Sequence, residues 1–515
     1  MRLQSWNPAT GQLLGEVEAT PPESLPGIVS TARLAQKRWQ STSLKERIRV
    51  ILRFGEILLS RKSEIANLVS EENGKPVVEV LTTEIIPVLD LIKYYSRTAP
   101  RILSDKPVKI SIILMKTKKA VIQQSPIGIA GIISPWNYPL LLPLGQIIPA
   151  LIAGNAVIFK PSEFTPLTAK MISDILAESK LPPAVFNIVF GAAEVGAAVV
   201  QSGVDKIFFT GSTAVGRKVS ELASKNLTPV SLELGSKDAM IVLDDADLDA
   251  ATGGALWGSF MNAGQTCISI ERCFVQEGIY ESFCNSVAQK ASLLKVGKGT
   301  DPSVDIGPII HSGQFQIVAT QIKEAVKRGA KIISGGSMSE GQSTYLISPT
   351  VIVDVPLDSL LMTEETFGPV LPVIKFKTAE EVVEMVNQSK FGLSASIWSK
   401  DVKRALSIAD KIEVGAVTIN DVITYYGISD GVVGGIRESG TGRVHGKYGL
   451  LEMTYPKYIE VERASYIKKP WWFRYDENLL DFFNASTDYL FSKRLGKRLQ
   501  SLFTLAKDFL KIRKI

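Results

Sequence analysis

A thiol and a carboxylate in this chain have the types and setting to do chemistry together. Cys267 closes the run Asn262-Ala263-Gly264-Gln265-Thr266-Cys267, and Glu233 lies 34 residues upstream in Ser231-Leu232-Glu233-Leu234-Gly235. A thiolate attacks a carbonyl carbon, and a carboxylate base activates the water that later releases the acyl group. The pair could therefore make and hydrolyse a thioester. Taken singly, each has a plainer reading. A lone Cys is usually a small buried hydrophobe, as Cys273 and Cys284 are expected to be, and a lone Glu is usually a solvated surface charge. Their company favours chemistry. Gly264 lets the backbone pass close to a ligand. Glu233 stands between Leu232 and Leu234 in a strand-like run, where a carboxylate needs a reason to be.

The surrounding pattern supplies elements that could position them. Residues 21–101 read as helices, with an amphipathic pattern over 43–69. Residues 108–124 alternate polar and apolar around Lys116-Thr117-Lys118-Lys119, which predicts a hairpin. Strand signals follow at 127–133, 156–160, 185–189 and 206–209, with a helix over 165–179. Strands alternating with helices imply a parallel, doubly wound sheet, which binds ligands at the carboxyl ends of its strands. The turn Thr210-Gly211-Ser212-Thr213-Ala214-Val215-Gly216 follows one such strand and opens a helix. It could receive a phosphate through backbone N–H groups, or be a plain turn with a Ser cap. A second alternation begins after Cys267, with strands at 271–275, 330–333 and 367–374 and helices at 280–295 and 317–328.

Composition narrows the class. The chain has 515 residues, 45% hydrophobic and 21% charged, as in a globular protein of more than one domain. Three Cys without CxxC spacing argue against a disulfide framework or structural zinc and suit a reducing cytoplasm. The opening residues carry no signal-peptide stretch, and no apolar run reaches membrane-spanning length. The net charge of +6 belongs wholly to 464–515, which hold eleven Lys/Arg and five Asp/Glu. That is no nucleic-acid footprint on the body. In this tail Leu495, Leu499, Leu502, Phe503, Ala506, Phe509 and Leu510 fall at helical spacing, with Lys497, Arg498, Lys507, Lys511 and Lys514 expected opposite. Trp471-Trp472-Phe473 beside Lys468-Lys469 suits an interface. Such a helix could lie on an anionic membrane surface, or pack on a neighbouring subunit.

The ordered motifs Asn7-Pro8-Ala9-Thr10-Gly11, Ser134-Pro135-Trp136-Asn137-Tyr138-Pro139, Lys160-Pro161-Ser162-Glu163, 209–216, 232–235, 264–267 and Glu364-Glu365-Thr366-Phe367-Gly368-Pro369 resemble the aldehyde dehydrogenase superfamily over residues 7–463. The resemblance implies oxidation of an aldehyde to its carboxylate with hydride transfer to NAD(P)+, and no metal. It implies Cys267 as nucleophile, Asn137 with the Cys267 N–H as oxyanion hole, and Glu233 as base for deacylation. Lys160 and Glu163, with Ser162 in the same motif, would meet the adenosine ribose. Ser212 with Gly211 and Gly216 would meet the pyrophosphate, and Trp136 and Leu234 would line the cofactor cleft. Glu365 would bind the nicotinamide ribose, and Phe367 would position the nicotinamide. Ser236 departs from a glycine common in relatives, and a Ser there could restrict the backbone beside the base.

These readings give an α/β fold of two doubly wound parallel-sheet domains. Residues 1–107 and 125–234 would form a Rossmann-like cofactor domain, and 235–440 the catalytic domain. Residues 108–124 and 441–463 would be oligomerisation elements, and 464–515 a basic amphipathic tail. Glu163 should bond a free 2′-hydroxyl and repel a 2′-phosphate, favouring NAD, while Lys160 offsets part of that repulsion and leaves NADP open. The segment 138–146, which the resemblance places along the substrate tunnel, offers no Arg for a substrate carboxylate and no second aromatic for a quaternary ammonium, and Gly145 stands where several relatives carry a bulky aromatic; the plainer reading is that Leu140 to Leu144 are helix core. An apolar aldehyde (aliphatic, aromatic or isoprenoid) is expected. His311 and His445 lie outside the motifs, so a His-assisted thiol has little support. Two rivals stand beside this reading. One is an acylating or reductive relative passing the thioester to coenzyme A or phosphate. The other is a silent scaffold. The expected assembly is a homo-oligomer, a dimer or dimer of dimers, in the cytoplasm or peripheral on the inner face of a membrane.

Overall fold

In the computed structural model, which describes residues 2–112, 115–341, 344–466, 469 and 471–512, two sheets carry the site. The first consists of β1 (Ile129–Ile133), β2 (Ala156–Lys160), β3 (Phe186–Ile188), β4 (Lys206–Thr210) and β5 (Val230–Glu233), in the order β3-β2-β1-β4-β5. Every pairing is parallel. β1 and β2 are buried at every position, as expected of strands covered on both faces. The chain leaves β1 for β2 on one side and later returns to β4 on the other. The switch point of the sheet therefore lies between β1 and β4, where a crevice opens at the strands' carboxyl ends.

The second sheet comprises β6 (Asp238–Val242), β7 (Ile270–Gln276), β8 (Lys331–Ser334), β9 (Thr350–Val353), β10 (Val370–Phe376), β11 (Ser394–Trp398) and β12 (Ala416–Ile419), in the order β8-β9-β10-β7-β6-β11-β12. It departs from the all-parallel expectation at one edge, where β8 runs antiparallel to β9. The segments leading into β6, β7 and β10 carry residues 235–237, 267–269 and 365–369. The first sheet thus offers carboxyl ends to the site, and the second offers amino ends.

Two compact units result, residues 1–104 with 124–456, and residues 105–123 with 457–515. The expected boundary at 441 moves to 456, because residues 441–453 pair and pack with the main unit. Thr441 and Gly442 donate to the Leu232 carbonyl, and Val444 pairs with Val433. The expected hairpin is likewise displaced. Lys106–Pro107 pairs antiparallel with Lys118–Pro126, and Thr454–Glu462 lies along the other side of Lys118–Pro126 as an edge strand. Residues 113 and 114 of that segment lie outside the described residues.

In the tail, Glu477–Phe491 and Leu495–Ile512 are helices joined by three residues. Arg498 does not stand opposite the apolar stripe. Its Nε donates to the Tyr489 carbonyl at 3.0 Å, so it belongs to the seam between the helices. Lys468 and Lys514 lie outside the described residues. Among the described residues no helix is long and apolar enough to cross a membrane.

Candidate active site

Cys267 rides on a loop whose backbone is forced. Asn262, Ala263 and Gly264 take φ of 53°, 54° and 70°. A Cβ on Gly264 would meet the Gly368 carbonyl oxygen at 2.1 Å, so glycine is required there by space as well as by conformation. Gln265 staples the loop. Its Nε2 donates to the Asn262 and Pro308 carbonyls, and its Oε1 accepts from the Ile310 N–H. The Gln265 carbonyl in turn accepts from the side-chain amides of Asn137 and Asn262, both at 3.1 Å. One Asn137 N–H is thereby fixed, which aims the second. Behind Asn137, buried Lys75 donates to its backbone carbonyl at 2.7 Å and to Glu84 at 2.8 Å. Asn137 and Cys267 are thus locked to one framework, as an oxyanion site requires.

Glu233 ends β5. The loop 439–442 clamps it, with the Leu234 N–H donating to the Ser439 carbonyl and a bridge to Gly440. A Cβ on Gly440 would lie 2.1 Å from the Leu232 carbonyl oxygen, and one on Gly442 3.2 Å from Glu233 Oε1. Burial raises the Glu233 carboxyl well above its ordinary range, with Arg443 opposing. Burial also raises the Cys267 thiol, and Glu365, Asp238 and Glu233 add to it. The Glu365 carboxyl rises to about 8, from burial and from Glu271.

Two cavities meet at the thiol. One, of about 250 Å³, is lined by Trp136, Asn137, Gly211, Ser212, Glu233, Leu234, Glu365 and Phe367 together with Cys267. It opens at the β1/β4 switch point. Ser212 caps the helix Thr213–Ser224, its Oγ accepting from the Val215 N–H. Trp136 and Phe367 stand edge to face at 5.5 Å. Lys160, Ser162, Glu163 and Gly216 do not line this cavity. Lys160 ends β2 one strand away and pairs with Glu163 at 3.4 Å. Gly216 instead makes room for Leu234, which a Cβ there would strike at 2.5 Å. A helix N-terminus for phosphate, a carboxyl for a ribose and an aromatic wall for a flat ring fit a dinucleotide.

The other cavity, of about 240 Å³, has no charged residue in its lining. Tyr138, Leu141 and Leu142 come from the expected segment, but Trp257, Ile423 and Tyr426 come from far away in sequence. The inference that a second aromatic is missing therefore fails, because the wall is assembled from several elements. Gly145 does not line the cavity. A Cβ on it would sit 3.5 Å from Nε2 of buried His445, whose ring packs edge to face on Tyr426 at 4.8 Å. His311, also set aside in the sequence reading, lines the first cavity, where its ring contacts Trp136 and its Nδ1 caps the helix Ser312–Lys327. Ser236 has no left-handed φ, so no glycine was needed. Its N–H donates to Glu365 at 3.0 Å and its hydroxyl to Asp238.

Sequence reasoning missed the post that holds Glu365 and Phe367. Buried Lys237 donates to Glu271 and to Thr366 Oγ1, each at 2.7 Å, and Glu271 accepts the Thr366 and Phe367 N–H groups. Charged residues inside otherwise apolar strand runs were the available signal. The 439–443 loop was also missed, although its alternating glycines marked a close backbone approach.

Comparison with known proteins agrees with this geometry. The sequence profile of the aldehyde dehydrogenase family matches residues 1–459. The 4,4'-diapolycopene aldehyde oxidase of Methylomonas sp is 36% identical over 507 residues, 98% of this chain and 94% of that protein. The chain belongs to the aldehyde dehydrogenase family. The NADP(+) succinate-semialdehyde dehydrogenase of Escherichia coli strain K12 is 35% identical over 457 residues, 88% of this chain and 93% of its own. The crystal structure of an NAD-dependent aldehyde dehydrogenase from Sinorhizobium meliloti superposes with a TM-score of 0.87 at 33% identity, covering 92% of this chain and 93% of that one. This chain is accordingly an NAD(P)-dependent aldehyde dehydrogenase.

Proposed function

We propose that the protein oxidises an apolar aldehyde to its carboxylate through a thioester on Cys267. The carrying observation is that, among the described residues, only Cys267 and Leu142 line both cavities. A carbonyl carbon held on the uncharged side can meet the sulfur, while the other side accommodates a dinucleotide, which when bound supplies the hydride acceptor. Thiolate addition gives a thiohemiacetal whose oxyanion receives the free N–H of Asn137 and the Cys267 backbone N–H. Loss of hydride leaves the thioester. Glu233, on the dinucleotide side, takes a proton from the attacking water. A relative that passes its acyl group to coenzyme A or phosphate would have no use for this buried carboxylate, and a scaffold would have no use for the thiol.

We assign the adenosine ribose to Lys160 and Glu163 beside Ser162, the pyrophosphate to Ser212 with Gly211, and the nicotinamide side to Trp136, Leu234, Glu365 and Phe367. Gly216 serves this site by letting Leu234 approach. The half-buried Glu163 carboxylate favours NAD over NADP. The uncharged cavity favours an apolar aldehyde over a carboxylated one. The diapolycopene aldehyde oxidase supports the isoprenoid class, because its match extends over nearly the whole tail, beyond the family profile. We place the enzyme in the cytoplasm, peripheral on the inner face of a membrane.

The test is intact-mass spectrometry with NAD and an apolar aldehyde. Cys267→Ala should lose all turnover and still bind NAD. Glu233→Gln should accumulate acyl-enzyme, slowing deacylation by about 10²-fold or more. Full steady-state turnover by Glu233→Gln would sink the assigned role.

A further inference from the structure

The first tail helix buries Leu479, Phe482 and Ala485 in the usual way, but the second packs the wrong way round for a water-facing pair. In a helical hairpin the apolar stripe normally turns inward. Here the second helix, Leu495–Ile512, turns Ser501, Thr504 and Leu505 toward burial, and Arg498 lies over the Tyr489 ring of the first helix. Lys497 pairs with Asp488 at 2.7 Å across the same joint. The stripe Leu495, Leu499, Leu502 and Phe503 faces outward, 72%, 54%, 47% and 79% exposed. Leu480 and Phe491 of the first helix are exposed as well, as are Trp472 and Phe473 just before it. Lys493, Arg494 and Lys507 are exposed at the ends of the stripe.

We propose that this outward stripe docks on an anionic lipid bilayer, lying in the interface with its apolar side chains among the acyl chains. This deepens the peripheral placement above by naming the face and the lipid chemistry, and it rests on that placement. Charge decides the occupant. The stripe carries a cationic rim, and all the chain's excess positive charge lies in 464–515. An anionic headgroup layer complements that rim. A second copy seated on the same face would bring one cationic rim against another. Exposed aromatic side chains before the helices suit the headgroup level.

Flotation of the full-length protein tests this, with vesicles of phosphatidylcholine alone and of phosphatidylcholine mixed with phosphatidylglycerol, at low salt and at about 0.5 M NaCl. The wild type should float with the anionic vesicles at low salt, and salt or removal of phosphatidylglycerol should weaken it. Leu499→Glu with Phe503→Glu should lower the floated fraction at least about tenfold. Leu499→Ser with Phe503→Ser is the milder pair, should the first not fold. Both should keep turnover of a water-soluble aldehyde, which reads the active site separately. Wild type that never floats overturns the peripheral placement and this inference together. Variants that float as well as wild type overturn the assigned face and leave the placement standing. Variants that fall to a smaller oligomer without vesicles make the stripe a contact between copies and overturn the lipid assignment.

Discussion

The surroundings of Cys267 and Glu233 push both groups toward their protonated forms. Burial comes first for each, and the carboxylates around the sulfur push the thiol further. The proposed mechanism needs the thiolate and the carboxylate, so both demands have the same sign. Aldehyde oxidation should rise steadily from about pH 6 to pH 9, and single-turnover rates across that range should show it. A flat profile would mean that neither group limits the chemistry. These two residues and Asn137 were legible in the sequence because each sits in a short, unbroken motif. Trp257 and Tyr426 were not, because the cavity they wall exists only once distant segments converge.

At the level of elements, the site depends on buried posts. Lys237 leads into β6, Glu271 stands in β7, and the loop they hold precedes β10. Lys237→Met would leave Glu271 buried with its backbone donors but without its ion-pair partner. That should cost about 3–5 kcal/mol of stability. Because the loop carries Glu365 and Phe367, KM for NAD should rise while KM for the aldehyde changes little. Denaturant unfolding and the two KM values check this, and the double change with Glu271→Gln should recover part of the stability. The strands named from the sequence were legible from their apolar runs, often to within a residue or two, whereas β6, β9, β11 and β12 were not read as strands. Their ends were less so. The sequence predicts a strand from Phe367, yet Phe367 has φ of 52° and β10 begins at Val370. A backbone held left-handed by bonds to Glu271 leaves no mark in hydrophobic patterning. The antiparallel edge β8 was equally hidden, since the direction of a strand is set by its connection.

For the whole molecule, the strand Thr454–Glu462 is an edge, with Tyr455, Tyr458 and Val461 exposed along it. Such an edge is normally paired or covered. Sedimentation velocity at micromolar concentration should find a dimer or a dimer of dimers, and a stable monomer would contradict this. The thiol with a cavity on either side has a consequence for the order of events. Once the acyl chain fills the uncharged cavity, that door is shut to water. Glu233 opens only on the other cavity, the one we assign to the nucleotide. Solvent and spent nucleotide must therefore share one exit, in turn. Added NADH should slow hydrolysis of a preformed acyl-enzyme, while at saturating NAD the acylation burst should keep its rate, so that the enzyme's own reduced product sets the pace of its turnover.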